Sequence, residues 1–140
     1  MNGYEPRFDL DFKYGHNAEV LVAEILRRGK ADSSNVEVKH KSYVDDYYYV
    51  EHEQNPRRCG TWKPSGIKVT TAQWWCYVVG NNNDWIVFWP TDLIKRAWEH
   101  PAAKPSQVTR GDNPTKGKLI SGALIRQLAS EAARGRTEAA

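Results

Sequence analysis

The sequence predicts an α+β fold, a mixed α/β sandwich whose central mixed sheet of about four to five strands is flanked by helices. Three observations support this prediction. Apolar residues recur at helical spacing within residues 17–28, polar and apolar residues alternate over 36–40 and 47–53, and a polar turn at 80–84 separates two further apolar strands. Helices and strands in this mixed order are typical of a layered α+β architecture.

The length and composition indicate one small intracellular domain. The 140 residues suit a single domain, which we place at residues 1–133, with a flexible C-terminal tail over 134–140. No apolar run is long enough to cross a bilayer, and the first residues lack a signal-peptide pattern, so we expect a cytoplasmic protein without membrane contact. Cys59 and Cys76 are the only cysteines, which indicates reduced thiols.

The two halves of the chain carry opposite charge. Residues 1–56 hold 7 Lys/Arg and 11 Asp/Glu, a net of −4, whereas residues 57–140 hold 13 Lys/Arg and 6 Asp/Glu, a net of +7. An acidic half beside a basic half is typical of a cation site next to a surface that binds a polyanion. Ordinary charge scatter is the alternative explanation.

The first two predicted strands carry the acidic residues of most interest. Glu37 and Lys39 share the face of the first strand that is opposite its two valines. Glu51 and Glu53 share a face of the second strand with two tyrosines. Because the link between the strands is short, we predict an antiparallel hairpin that brings these carboxylates close together.

The second half of the chain predicts strands and helices joined by polar segments. In order, these are a basic loop at 57–66, a helical turn at 70–74, a hairpin of strands 75–79 and 85–89, a helix over 91–98 capped by Thr91, a polar loop at 101–114, a short strand at 118–120 and a helix over 121–133.

The predicted first helix carries an unusual carboxylate. The helix begins after the N-cap residue Asn17 and ends at Gly29. Glu19 has Val22 and Leu26 as its i+3 and i+7 neighbours, which places it on the apolar face. A buried carboxylate is costly unless a cation or a donor meets it. The alternative is a boundary residue whose carboxylate reaches water.

Carboxylates held close together favour a divalent cation, because the cation removes their mutual repulsion. Ligand sets made only of oxygen indicate Mg²⁺ or Mn²⁺ rather than Zn²⁺. Lys39, beside Glu37, is suited to stabilising phosphate charge or orienting an attacking water. The alternative is a solvated sheet face with ordinary Glu–Lys pairs.

Several short motifs occur in a fixed order along the chain. They are the helix with Glu19, then VEVK at 36–39, YVEHE at 49–53, KPSGI at 63–67 and TTAQWW at 70–75. Together they resemble the PD-(D/E)XK nuclease superfamily, in particular its small phage-type members, over about residues 8–98. The resemblance implies a restriction-endonuclease-like core of helix–strand–strand–strand–helix–strand with a mixed sheet. It also implies Mg²⁺-dependent phosphodiester hydrolysis.

The resemblance implies a role for each acidic residue. Glu19 takes the place of the family's helix-borne acid, and Glu37 that of the Asp in the Pro-Asp element. Glu51 takes the place of the first acid in the (D/E)-x-K element. Glu53 stands where the family usually has lysine, as in some restriction endonucleases of the superfamily.

The chain departs from the family pattern in two places. It has no Pro-Asp dipeptide, and the catalytic lysine is either missing or relocated to Lys39 or Lys68. A second register takes Glu37-Val38-Lys39 as the E-x-K element and Asp32 as the preceding acid. We rank this register lower, because Asp32 lies in a predicted loop and the acids of the second strand are left without a role.

A basic, glycine-containing loop follows the acidic strand and predicts phosphate contacts, with a tryptophan suited to base stacking. Gln73 with Tyr77 resembles the Q-x-x-x-Y element of exonuclease-like members. A solvated turn is the alternative for the loop, and the other tryptophans are expected in the core. The predicted nucleic-acid-binding residues are Arg57, Arg58, Lys63, Ser65, Lys68, Gln73 and Trp62.

These expectations combine into a metal-dependent nuclease acting on nucleic acid, expected to be DNA. Glu37 and Glu51 would bind Mg²⁺ or Mn²⁺, Glu19 would hold a second ion or an ordered water, and Glu53 or Lys39 would orient the nucleophile. The alternatives are a non-catalytic nucleic-acid-binding module of the same fold and an interaction domain with a solvated acidic face. DNA or RNA, endo- or exonuclease action, substrate shape and a homodimeric state stay open. The expected location is the cytoplasm, that of the host if the chain is phage-encoded.

Overall fold

Most of the predicted strands form where their alternating patterns lie. The structure, a computed structural model, describes residues 18, 19, 22, 27, 28 and 35–139. The five isolated residues are all helical, which confirms the predicted first helix at those positions. The later elements are β1 (Val36–Lys41), β2 (Tyr47–Gln54), a 3-10 turn (Pro56–Arg58), β3 (Lys63–Pro64), a second 3-10 turn (Gly66–Lys68), β4 (Trp74–Val79), β5 (Trp85–Pro90), α1 (Thr91–Glu99), β6 (Lys104–Val108), β7 (Thr115–Ser121) and α2 (Gly122–Ala139).

The strands form two sheets, and the predicted α+β class is confirmed. One sheet has three strands in the order β1-β4-β5, and the other has four in the order β3-β2-β7-β6. The prediction of a single central sheet of four to five strands is therefore wrong. The sheets lie in two compact units, the first made of Met1–Val44 with Thr71–Trp89 and the second of Asp45–Thr70 with Pro90–Ala140.

The predicted hairpin of the first two strands is wrong. β1 pairs in parallel with β4, with Glu37 opposite Trp75 and Lys39 opposite Tyr77, whereas β2 belongs to the other sheet. β4 is apolar on both faces and is buried along all but its first residue. Such a strand is most stable in the middle of a sheet, where both edges are paired and both faces covered. β1 supplies one of those edges, and this demand outweighs the short link to β2.

The helix of the first unit packs on one face of its sheet. Buried Ala18 and Val22 of the helix contact Cys76 and Val78 of β4, and Val36 and Val38 of β1 pack against them. The predicted hairpin of β4 and β5 is confirmed: the strands are neighbours joined by a turn over residues 80–84. The N–H of Asp84 donates to the carbonyl of Val79 at 2.8 Å.

The second unit is an antiparallel sheet with two helices packed on β7. Its most buried residues come from the two central strands and from both helices, and are Tyr48, Val50, Ile94, Ile120 and Ile125. The predicted polar loop at 101–114 contains β6, so that prediction is wrong in part. β6 carries Lys104 and Pro105 and forms the edge of the sheet, where both residue types are tolerated.

A β-bulge divides β2 at its acidic end. Glu51 lies opposite Gly117, but Glu53 lies opposite Lys116, so the register shifts by one residue between them. Successive residues of β7 point to opposite faces of the sheet, and residues opposite each other share a face. Glu51 and Glu53 therefore point to opposite faces, and the prediction that they share one is wrong.

Several element boundaries also differ from the sequence pattern. The predicted helical turn at 70–74 is wrong, because the helical turn lies earlier, at Gly66–Lys68, and residues 70–72 are irregular. α1 begins at Thr91 as predicted, but its N-cap is Pro90 and no side chain caps it. Ser121 Oγ accepts a hydrogen bond from the N–H of Leu124 at 3.1 Å, and α2 continues beyond its predicted end to Ala139.

Candidate functional site

The acidic and basic residues of β1 lie side by side. Glu37 Oε1 is 3.8 Å from Lys39 Nζ, and both side chains are about one-third exposed, at 37% and 35%. We call these two residues the β1 pair. They face away from the valines that pack in the core, as the alternation predicts. Lys39 Nζ also lies 5.7 Å from the ring centre of Trp75.

Trp75 supplies a buried donor at the β1 pair. It lies opposite Glu37 in the strand register and is fully buried. Its indole Nε1 has no hydrogen-bond partner among the described residues. A buried N–H without an acceptor is uncommon and costs roughly 1–3 kcal/mol. At the β1 pair itself, the groups partly open to solvent are the Glu37 carboxylate and the Lys39 ammonium.

The structure does not gather the predicted metal ligands into one group. Within the described part of the chain, no three His, Cys, Asp or Glu residues are placed to hold a metal ion. Glu19 is exposed on its helix beside buried Ala18, so its predicted place on the apolar face is wrong. Glu37 and Glu51 lie in different sheets. Asp32, the other acid of the second register, lies outside the described residues.

Glu51 and Glu53 have separate surroundings within the second unit. Burial raises the pKa of Tyr49, and Glu51 raises it further, against a hydrogen bond with Thr115 that lowers it. Tyr49 and Glu51 lie opposite Leu119 and Gly117 with no register shift between them, so Glu51 is on the tyrosine face of β2, as the alternation predicts. Glu53 Oε1 instead lies 3.9 Å from His52 Nε2. The bulge between Glu51 and Glu53 turns the Glu53 carboxylate towards the ring of His52.

The predicted phosphate-binding loop is tied to the loop before β7. Arg58 donates from Nε to the carbonyl of Gly111 at 3.0 Å and from Nη2 to that of Thr109 at 2.6 Å. The N–H of Arg57 donates to Asn113 Oδ1 at 3.0 Å. Both arginines have φ of 52°, in the left-handed region that non-glycine residues rarely adopt. Arg58 thus holds two loops together, whereas the Arg57 side chain is exposed.

The other predicted binding residues are spread along the chain. Lys63 and Lys68 are exposed, at β3 and at the following 3-10 turn. Ser65 is 4% exposed, its N–H donates to the carbonyl of His52 at 3.0 Å, and its Oγ has no partner among the described residues. Gln73 belongs to the first unit, where its N–H donates to the carbonyl of Asn35 at 3.0 Å.

Two lysines of β7 lie over tryptophan rings. Lys116 Nζ is 4.2 Å from the ring centre of Trp62, and Lys118 Nζ is 4.5 Å from that of Trp98. Lys118 also donates to the carbonyl of Trp98 at 2.9 Å. Cations at this distance over an indole are attracted by its electron-rich face. These contacts fix the position of two ammonium groups that would otherwise move freely.

Trp98 also determines the proton position on His52. Trp98 Nε1 donates to His52 Nδ1 at 3.1 Å, and an indole nitrogen can only donate. His52 Nδ1 is therefore the acceptor, and the proton of the neutral ring is on Nε2. The pKa of His52 is lowered, first by burial and then by Lys68, with Glu53 opposing and Lys118 and Lys116 lowering it further.

These residues form a group that sequence patterns did not identify. We call it the His52 cluster, and its members are His52, Glu53, Lys68, Lys116 and Lys118. Only Lys68 and Glu53 were predicted site residues. The available signal was the Lys-x-Lys spacing of β7, which places both lysines on one face of a strand. The contribution of Trp98 depends on how α1 packs, which has no local signal.

Comparisons with protein-family models, with curated proteins and with solved structures give no match. The resemblance to the PD-(D/E)XK superfamily therefore stays a prediction from motifs. No helix in the described part of the chain is long and apolar enough to cross a membrane.

Proposed function

We propose that the chain is a metal-dependent nuclease, with Glu37 and Lys39 as the acid and lysine of its E-x-K element. The observation that carries the proposal is the β1 pair: a carboxylate and an ammonium 3.8 Å apart, two residues apart on one strand, with both side chains partly open to solvent. This arrangement supports the second register of the motif, in which Asp32 is the other acid. It replaces the register that used Glu51 and Glu53.

The residues of the β1 pair are suited to distinct tasks. Lys39 can stabilise negative charge on a phosphate or orient an attacking water. Glu37 can hold a divalent cation or accept a proton from water. Mg²⁺ or Mn²⁺, when bound, would lower the pKa of water and neutralise phosphate charge. Glu37 alone supplies too few ligands for such an ion, so the proposal requires Asp32 as a second ligand.

The proposal extends to fold, substrate and location. A restriction-endonuclease-like core and a sandwich arrangement follow from the motif resemblance, as does DNA as the substrate. Cytoplasmic location is in keeping with free thiols at Cys59 and Cys76. A homodimer is part of the same proposal, and sedimentation of the purified chain measures it directly.

The first test is cleavage of a panel of substrates. Supercoiled plasmid, linear duplex, single strands and a four-way junction would be incubated with Mg²⁺, with Mn²⁺ or with EDTA. We expect cleavage of at least one substrate in metal and none in EDTA. Absence of cleavage in both metals would remove the enzyme proposal.

Three variants then separate the two registers of the motif. Glu37→Gln should abolish cleavage, whereas Glu51→Gln should retain it if the E-x-K register is correct. Glu131→Gln is the matched control, since Glu131 is exposed on α2 and accepts a hydrogen bond from Gln127 of the same helix at 3.1 Å. Loss of cleavage in both Glu37→Gln and Glu51→Gln would instead support the register that uses both strands.

A non-catalytic nucleic-acid-binding module is the second candidate function. The observation that favours it is the pair of lysine–tryptophan contacts in the second unit, which place two ammonium groups over aromatic rings. A binder of this kind would show salt-dependent affinity for an oligonucleotide with no cleavage in either metal.

A further inference from the structure

The His52 cluster concentrates positive charge and unused donors. Three ammonium groups come from two different elements, Lys68 from the second 3-10 turn and Lys116 and Lys118 from β7. Glu53 is the carboxylate of the cluster, and it interacts electrostatically with His52. Three cations and one carboxylate thus act on the His52 ring, and this excess of positive charge attracts an anion.

The imidazole of His52 adds a directed donor to this charge. Because Trp98 occupies Nδ1, the N–H of the neutral ring is on Nε2. The nearest carboxylate oxygen, on Glu53, is 3.9 Å from Nε2, which is too far for a hydrogen bond. His52 cannot serve as a general base, since its one acceptor nitrogen is occupied. It is instead placed to donate a hydrogen bond to a ligand oxygen.

A second unsatisfied donor lies on the neighbouring segment. Ser65 is bonded through its backbone N–H to the carbonyl of His52, so the two residues are adjacent in the pairing of β2 and β3. Its Oγ is buried and has no partner among the described residues. A buried hydroxyl without a partner usually indicates a missing polar ligand or water.

The two tryptophan contacts fix the cluster in advance of binding. Lys116 is positioned over Trp62, and Lys118 over Trp98, where it also donates to a backbone carbonyl. A free lysine loses rotamer freedom when it binds a ligand, and a lysine already held loses less. Each ammonium still has donors to spare, since the group carries three.

We propose that the His52 cluster binds a phosphate group of a nucleic-acid strand, and so holds the substrate backbone on the second unit. This inference rests on the proposed function for the identity of the ligand. The oxygens of a phosphodiester accept hydrogen bonds from His52 Nε2 and from the ammonium groups, and their charge balances the excess of the cluster. None of the three residues His52, Lys116 and Lys118 belongs to the E-x-K element.

Binding should couple to protonation of His52. A phosphate beside the ring favours the imidazolium, so binding should raise the pKa of His52 from its lowered value. By linkage, protonation must then tighten binding by the same factor. Every charged group that acts on His52 within the cluster takes part: Lys68, Glu53, Lys118 and Lys116.

The test follows the His52 ring resonances by NMR as pH is varied, in EDTA so that no hydrolysis occurs. Three arms at equal ionic strength contain sodium chloride, inorganic phosphate and a short oligothymidylate. We expect the pKa of His52 to rise in oligothymidylate relative to chloride. An unchanged titration in all arms would overturn the proposal, and a rise in inorganic phosphate alone would show a small-anion site in place of a nucleic-acid site.

Lysine variants give an independent measurement of the same site. Lys68→Gln and Lys116→Gln should each weaken oligothymidylate binding by about tenfold at low salt and reduce the salt slope by about one. Lys104→Gln is the control, because Lys104 is exposed on the edge strand β6 outside the cluster. Equal weakening in the control, or none in the cluster variants, contradicts the proposal.

The two proposals fail in distinguishable ways. Wild-type protein that binds oligothymidylate through the cluster but cleaves nothing would remove the nuclease proposal and leave this one intact. Protein that cleaves DNA, but whose Lys68→Gln and Lys116→Gln variants bind unchanged, would remove this inference alone.

Discussion

Replacing Trp98 by Phe tests whether one hydrogen bond keeps His52 neutral. The substitution keeps an aromatic ring at position 98. In the wild-type chain the rings of His52 and Trp98 meet edge to face, with centroids 5.3 Å apart. The substitution removes the indole N–H that donates to His52 Nδ1 at 3.1 Å. In the wild-type chain, a proton on His52 Nδ1 would make that nitrogen a donor directed at the indole N–H of Trp98, which is also a donor. The hydrogen bond must therefore break when the ring becomes charged.

The size of the effect follows from the cost of that bond. A hydrogen bond of this kind contributes about 1 kcal/mol net, which corresponds to about a fivefold change in an equilibrium constant. Trp98→Phe should therefore raise the proton affinity of His52 by about fivefold and raise its pKa. The lysines and the partial burial of the ring, whose side chain is 16% exposed, still act in the variant.

The same change should alter acid stability. The pKa of His52 in the folded chain lies below that of an unfolded histidine, about 6.5. The unfolded chain therefore binds more protons just below that pH, and stability present above about pH 6.5 is lost as the pH falls towards the folded pKa. Raising the folded pKa narrows this window, so the variant should lose less stability between pH 7.5 and 5.

The assay combines NMR titration of the His52 ring with urea unfolding at both pH values. The ring resonances of His100, which lies outside the cluster, provide the internal reference. A His52 pKa in Trp98→Phe that equals or falls below the wild-type value would refute the reasoning, because the indole donor would then have no part in holding the ring neutral.

Two further predictions concern packing and thiol chemistry. Gly117→Ala should destabilise the fold by roughly 1–3 kcal/mol, since its Cβ would lie 2.4 Å from the carbonyl oxygen of Val50. Gly135→Ala should instead stabilise the fold by about 0.5–1 kcal/mol, because a Cβ at this helical position meets nothing within 4 Å. Thermal melting of both variants and the wild type measures the two effects. An aromatic disulfide reagent at pH 8 should label Cys59, which is exposed, and leave Cys76 until the chain unfolds, because burial raises the pKa of Cys76 to about 12. Rapid labelling of Cys76 in the native Cys59→Ser variant, or of two thiols in the native wild type, would contradict this.

Alternation along single strands predicted side-chain direction well. It placed Glu37 and Lys39 opposite the core valines of β1, and Tyr49 with Glu51 on one face of β2. It failed for Glu53, two residues after Glu51, because a bulge adds a residue that the pattern does not show. The close approach of the Tyr49 ring to Gly117 depends on both strands, so the pattern of neither strand alone predicts it.

Strand pairing was the larger error, and its cause is tertiary. A short link favours a hairpin, but β4 is apolar on both faces and requires a paired strand on each side. β1 is one of the two strands that pair with β4, and the apolar face of β1 packs in the core. The candidate metal cluster was derived from the hairpin, so the argument for it from strand pairing is lost. The β1 pair did survive, because both of its residues lie on one strand.

The interleaving of the two units has a consequence for how a nascent chain folds on the ribosome. β1 is synthesised long before β4, its partner, and β2 emerges before the first unit is complete yet must wait for β7. Neither sheet can close in the order of translation, so the usual advantage of folding the N-terminal part first is lost. Chains arrested before β7 should therefore remain sensitive to protease at β2, and release of the full-length polypeptide should coincide with the onset of protection.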